Sequence, residues 1–159
     1  MLNKNYTQEK YKDKNYQNTT ILSLKKPYCR KWFFFDLKDK IIGRESNKIA
    51  KILMGKNKNN FIFNSDLGDY VVIINAKKMK TTGKKLNKKI YYNHSGYPSG
   101  LRERKMKIML KDYPCELVYR IIKGMIPHTK LGKKQIKRLF VFAEKNHNLK
   151  SQEKYFIKI

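Results

Sequence analysis

Lys and Arg outnumber Asp and Glu by 38 to 12 over 159 residues, a formal net charge of +26, and no other feature restricts the fold of this chain so strongly. A compact body carrying that charge repels itself. A polyanion relieves the repulsion, and release of the counterions condensed on a nucleic acid then drives association. The excess is larger than solubility alone requires. Hydrophobic residues make up 40 % of the chain, too many for a wholly disordered polymer. The length suits one domain around one core.

Other partners and chemistries fit less well. A membrane-spanning helix needs about 20 apolar residues, whereas the apolar runs here are short, as at 32–35 and 71–74. The cations lie along nearly the whole chain rather than on one amphipathic face, so a membrane surface is not expected either. Cys29 and Cys115 form no CxxC pair, and two thiols cannot make a four-thiolate site. With no disulfide framework indicated, a reducing compartment is expected. His94, His128 and His147 follow no metal-ligand spacing, so no metal or other cofactor is expected. The N-terminus has no apolar stretch of the secretory kind, and Glu9 and Asp13 suit a transit peptide poorly.

Three regions are expected. Residues 1–30 form a basic N-terminal extension: 1–20 lack a sustained apolar period and are expected to be mobile, and Pro27 breaks any helix in the transition that follows. Residues 31–143 form the folded domain, and 144–159 a polar C-terminal tail. Within the domain, 31–37 is aromatic and continuously apolar, as a buried strand is. From Arg44 to Met54 the apolar positions Ile49, Ile52 and Leu53 recur at helical spacing, and Gly55 follows as a C-terminal glycine. Residues 70–75 are rich in β-branched side chains and read as a strand. A basic loop over 77–89 leads to a short strand at 90–92 and a loop holding Gly96, Pro98 and Gly100. Residues 102–111 read as a basic helix with Met106, Met109 and Leu110 on one side. Pro114 opens another helix, Lys130–Arg138 is a third, and 139–143 is a strand. The alternation implies an α/β domain whose sheet is mostly parallel or mixed and covered on both faces.

A search for catalytic groupings yields little. Asp66 and Asp69, beside Gly68, read as turn and capping residues. Thr82, Gly83, Lys84 and Lys85 echo a phosphate-binding loop but lack its spacing and its place between strand and helix. His94 and Ser95 are neighbours in sequence, which is not a nucleophile–base geometry, and Gly96 and Gly100 mean nothing as GxxxG outside an apolar helix. What remains is two basic stretches with interleaved aromatics. One runs over 77–89 and continues through Tyr91, Tyr92, His94, Tyr97 and Arg102. The other runs from Lys123 to Arg138. Glycine and proline let such backbone approach a phosphate chain that lysines neutralise, and Tyr and His suit unpaired bases and 2′-hydroxyls. Composition leaves RNA and DNA equally open.

The order and spacing of several stretches go further. These are Gly68 through Ala76; Thr82 through Lys85 with Tyr91 through Leu101; Lys123 through Pro127 with Lys130 through Gly132; and Trp32, Gly43, Arg44, Ile49 and Ala50 upstream. Together they resemble the L thirteen family of ribosomal proteins in its bacterial form, over about residues 30–143. The resemblance implies a three-layer α/β/α fold around a small, mostly parallel or mixed four-stranded sheet. It implies a structural constituent of the large ribosomal subunit that binds large-subunit ribosomal RNA early in assembly. Neighbouring ribosomal proteins are then the other partners, with no cofactor, small-molecule substrate or catalysis. The RNA-facing positions it implies are Arg44, Lys56, Lys84, Lys85, His94, Tyr97, Arg102, Lys130 and Lys133, with Gly83, Gly96, Gly100 and Gly132 as loop glycines. A free-standing regulatory RNA-binding module and a nucleic-acid-modifying enzyme are the alternatives. The chain departs from the family at Ser99 and Glu144, where glycine is common, at Asn57 and Asn64, where histidine is usual, and at His128 and Thr129. Its A/T-leaning residue usage and its drift favour an organellar ribosome, mitochondrial or plastid, over a bacterial cytoplasm.

Overall fold

A computed structural model describes residues 30–158. Apart from Arg30, the expected extension over 1–30 lies outside the described residues.

Alternation within the first strand sets the layers. In β1 (Trp32–Asp36), Phe33 and Phe35 are buried while Trp32, Phe34 and Asp36 are half-buried, because successive strand residues face opposite sides. Phe33 and Phe35 join the main core with Val71 and Ile73 of β2 (Tyr70–Ile74). The same core takes Ile49 and Leu53 from α1 (Ile42–Met54), Leu117, Val118 and Ile122 from α4 (Pro114–Lys123), and Ile136 from α5 (Lys130–Ile136). α1 stops where Gly55 turns left-handed at φ 81°; a Cβ there would come within 2.9 Å of the Leu67 backbone, so only glycine lets the chain double back so closely. Pro114 stands at the start of α4, and Thr129 caps α5 by accepting the Gly132 N–H at 3.2 Å.

The main sheet has four parallel strands in the order β5-β2-β1-β6, with β5 at Leu139–Val141 and β6 at Phe156–Lys158. Within the segment 144–159, read from the sequence as a polar tail, the described residues return to the sheet and pair Phe156 with Trp32. The far face of the sheet is aromatic. Trp32 stacks on Tyr70 at 4.4 Å, Phe34 stacks on Phe156 at 5.3 Å, and His147 wedges against Phe34, Phe142 and Phe156. The C-terminal segment with its 3-10 turn (Lys150–Tyr155) forms the layer on this side, which completes a three-layer α/β/α arrangement.

The strand near residue 90 does not enter that sheet. β3 (Ile90–His94) pairs antiparallel with β4 (Leu101–Lys105) as a separate hairpin. This corrects the helix read over 102–111: the helix α3 begins at Met106 and ends at Asp112. Arg, Glu and Lys are good helix formers, but the hairpin loop brings 101–105 alongside β3, where ladder pairing overrides local propensity. The basic loop over 77–89 also gains structure, a 3-10 turn at Ala76–Lys78 and the one-turn helix α2 at Lys85–Lys88.

Asp66 and Asp69 do more than shape a turn. Arg138, almost wholly buried, donates to both oxygens of Asp66 at 2.5 and 2.7 Å. Lys58 pairs with the fully buried Asp69, which also accepts the Lys31 backbone N–H. These pairs tie the irregular 56–69 segment to the entry of β1 and the end of α5.

Candidate nucleic-acid interface

The cations divide into two populations. Arg138, Lys58, Arg120 and Lys48 are paired with Asp66, Asp69, Glu116 and Glu45. Arg44, Lys56, Lys84, Lys85, Arg102, Lys130 and Lys133 are exposed and have no ion-pair partner among the described residues. Carboxylates are too few to pair every cation: no Asp or Glu occurs between Lys77 and Arg102 or between Leu117 and Ala143, although Lys80, Arg120 and Arg138 within those stretches reach Asp39, Glu116 and Asp66. Exposed charges with no counter-ion in the chain stay available to an external one.

The structure gathers some of these residues and separates others. Gly43, beside Arg44 in the first turn of α1, lines the same cleft as Lys85 and Lys89. That cleft reaches Tyr91 of the hairpin and Arg120 of α4, which also border a notch holding Arg102. Lys85 and Arg102 therefore border adjoining spaces of one tract, and Arg44 and Lys84 stand next in sequence to the lining residues Gly43 and Lys85. His94 and Tyr97 extend it to the hairpin tip, where Tyr97 is 76 % exposed and the His94 Nδ1 accepts the Gly96 N–H at 2.9 Å. Lys56 leaves the other end of α1, on the order of 15 Å away along a helix that advances about 1.5 Å per residue. Lys130 and Lys133 stand on α5.

The loop glycines serve different needs. Gly83 and Gly96 sit at positive φ with open space around them. Gly132 allows a close approach, since a Cβ there would fall 1.9 Å from the Pro127 carbonyl oxygen, and at Gly100 one would fall 2.1 Å from Ser95 Oγ. Ser99 adopts a left-handed φ of 59° without being glycine, a conformation that costs an L-residue about 1–2 kcal/mol.

Local electrostatics position the tract. Lys77 donates to Glu144 at 2.8 Å and Lys80 pairs with Asp39 at 2.9 Å, which anchors the start of the basic segment. The Glu144 bond raises the Lys77 pKa, and the Lys80 bond lowers that of Asp39. Burial pushes the Tyr91 hydroxyl up, against a smaller opposing pull from Arg120, so it remains a neutral donor at physiological pH. The Lys89 Nζ lies 5.7 Å from the Tyr91 ring centre.

Among the described residues, Asp66, Asp69 and His94 line neither the cleft, nor the notch, nor the hollow beside Phe34 and His147. No group of His, Cys, Asp and Glu among the described residues is placed to hold a metal, and no described helix is long and apolar enough to cross a membrane.

Two arginines escaped the sequence reading. Arg104 faces the same side of β4 as Arg102, opposite Tyr91 and Asn93 of β3. The two-residue spacing of Arg102 and Arg104 was the available signal, but a helical reading of the segment conceals it. Arg120 projects from a helix whose sequence displays only its core face, so it carried no signal.

The family model described as "Ribosomal protein L13" matches residues 30–148. A protein of Mycoplasmopsis synoviae (strain 53) named "Large ribosomal subunit protein uL13" is 45 % identical over 136 residues, covering 86 % of this chain and 94 % of that protein. Proteins of the same name from Acholeplasma laidlawii and Wigglesworthia glossinidia brevipalpis are 43 % and 44 % identical, covering 84 % and 82 % of this chain and 94 % and 92 % of their own lengths.

Proposed function

The chain belongs to the ribosomal protein L13 family, and from that premise we propose that it is a structural constituent of a large ribosomal subunit that binds the subunit's RNA early in assembly. As a member of a ribosomal protein family it is a structural component and not an enzyme. The observation that carries the RNA reading is the set of exposed cations that have no ion-pair partner among the described residues, several of them on loops and short elements beside the hairpin. Arg44, Lys84, Lys85 and Arg102 neutralise phosphates, His94 and Tyr97 reach 2′-hydroxyls and unpaired bases at the hairpin tip, and Lys56, Lys130 and Lys133 hold separate strands of the same RNA. Neighbouring ribosomal proteins complete the surroundings. Residues 31–143 carry this function, with 1–30 as an added basic arm and the segment after 143 as the closing piece of the sheet. The relatives reported above are bacterial and lend no support to an organellar location; a bacterial cytoplasm fits them.

Sedimentation tests the assignment: the chain should travel with the large subunit and be stripped by high salt. Affinity for large-subunit RNA should fall log-linearly with salt, each phosphate contact adding about 0.7–0.9 to the slope. A salt-independent affinity, or a chain found mostly outside ribosomes, would contradict it.

A further inference from the structure

The cleft beside α1 has a composition that a simple phosphate-binding surface does not need. It encloses about 420 Å³, within the range of roughly 300–1,000 Å³ typical of small-ligand pockets. Its walls are apolar, supplied by Ile42, Met106, Ile121 and Met125, while Lys85, Lys89 and Arg120 edge it. No carboxylate of the described residues lines it. Thr81, also in its wall, carries a buried hydroxyl with no partner among the described residues. Gly43 opens the cleft further, because nothing stands within 4 Å of where its Cβ would be.

Across Tyr91 and Arg120 the cleft adjoins a second, much smaller space. This notch of about 40 Å³ is lined by Arg102, Arg104, Arg120, Asn93 and Tyr91, again without a carboxylate. Its volume is little more than the roughly 30 Å³ that a water occupies, which leaves room for phosphate oxygens and not for a ring. The guanidiniums are held in place: Arg120 by two bonds to Glu116 at 2.9 and 2.6 Å, Arg104 over the Tyr113 ring at 5.1 Å. Fixed guanidinium forks suit phosphate.

The geometry points to a one-nucleotide site, in which an unpaired nucleotide of the bound RNA places its base in the apolar cleft and its phosphate in the arginine notch across Tyr91. A nucleotide joins a flat, largely apolar body to an obligate anion, which is the pairing that cleft and notch present. An apolar side chain from a neighbouring protein fills the cleft but leaves Arg102 and Arg104, which have no carboxylate partner among the described residues, unmatched. Base-specific RNA recognition ordinarily targets such splayed-out nucleotides, since a duplex hides base edges in a groove side chains cannot read. The inference rests on the RNA reading above and deepens it: the basic loops hold the RNA, and this site fixes its register.

Filter binding of the full chain to large-subunit ribosomal RNA across a salt series tests it. Met125→Trp fills the cleft from an exposed position, and Gly43→Leu fills it from the first turn of α1. Each should lower affinity about tenfold, the scale of one lost base contact, with an unchanged salt slope. Arg104→Gln should lower the slope by one contact's worth, about 0.7–0.9. Ultraviolet crosslinks should map to the peptide holding Tyr91. If both cleft-filling variants are folded by circular dichroism and bind like the unsubstituted chain, the nucleotide site is wrong and the cleft belongs to a protein side chain. If one variant fails to fold, the other decides. If the unsubstituted chain ignores the RNA, the broader reading has failed instead.

Discussion

β2 and β3 are each five residues long, and they are stabilised by different means. Val71, Val72 and Ile73 of β2 are fully buried between β1 and β5. In β3 Tyr92, Asn93 and His94 are exposed, and the strand pairs only with β4. Burial of a Val or Ile side chain contributes about 1.5–3 kcal/mol, so β2 is fixed by its side chains. β3 is fixed by its backbone ladder and by the packing of Tyr91 at one end, since a two-stranded hairpin is marginal alone. The contrast explains the division of labour. Side chains that hold a fold together cannot also face a partner, whereas those of the hairpin are free to do so.

The sharpest test of the contrast is a charge placed in each strand. Ile73→Asp puts a carboxylate at a fully buried position and should unfold the domain, an effect expected to exceed about 4 kcal/mol. Tyr92→Asp, at a site 58 % exposed, should stay within about 0.5 kcal/mol. Urea denaturation followed by circular dichroism separates them, and comparable losses would mean that the hairpin carries the fold as well.

A second test concerns the two populations of cations. Asp69→Ala leaves the Lys58 ammonium, only 12 % exposed, without its carboxylate and should cost about 3 kcal/mol. Lys84→Glu with Lys85→Glu should leave the melting temperature unchanged and lower the salt slope of RNA binding by roughly 1.5, two contacts' worth. Stability loss in the double variant, or unchanged binding, would erase the distinction between structural and interfacial lysines.

The smallest expected effect sharpens the hairpin itself. Ser99→Gly releases a left-handed residue but adds freedom to the unfolded chain, for a net gain of about 0.5 kcal/mol. A calorimetric melt checks it, and a fall in stability would show that the serine side chain holds the loop.

Much of the fold is legible in the amino-acid sequence itself. β1, α1, β2 and α4 are announced by apolar runs or by helical spacing, Gly55 and Pro114 mark helix ends, and the burial of Ile49, Leu53 and Leu117 follows. The exposure of Arg44, Lys84, Lys85 and Arg102 was legible from their charge and their place beside glycines and turns. β4 was not, because Leu101–Lys105 has no apolar alternation and owes its conformation to β3. β6 was not, because its three residues sit in a polar segment and become a strand only beside Trp32 and Phe34.

The sequence alone determined that this chain buries a small α/β core and has far too few carboxylates to match its cations, 12 against 38, because hydrophobic period and residue count are set by the sequence itself. Tertiary structure alone decided that Arg102, Arg104 and Arg120 meet at Tyr91 and that an apolar cleft opens next to them. Those residues come from a hairpin and a helix whose separation in sequence carries no signal, and only the packing of α3 and α4 under the hairpin brings them together.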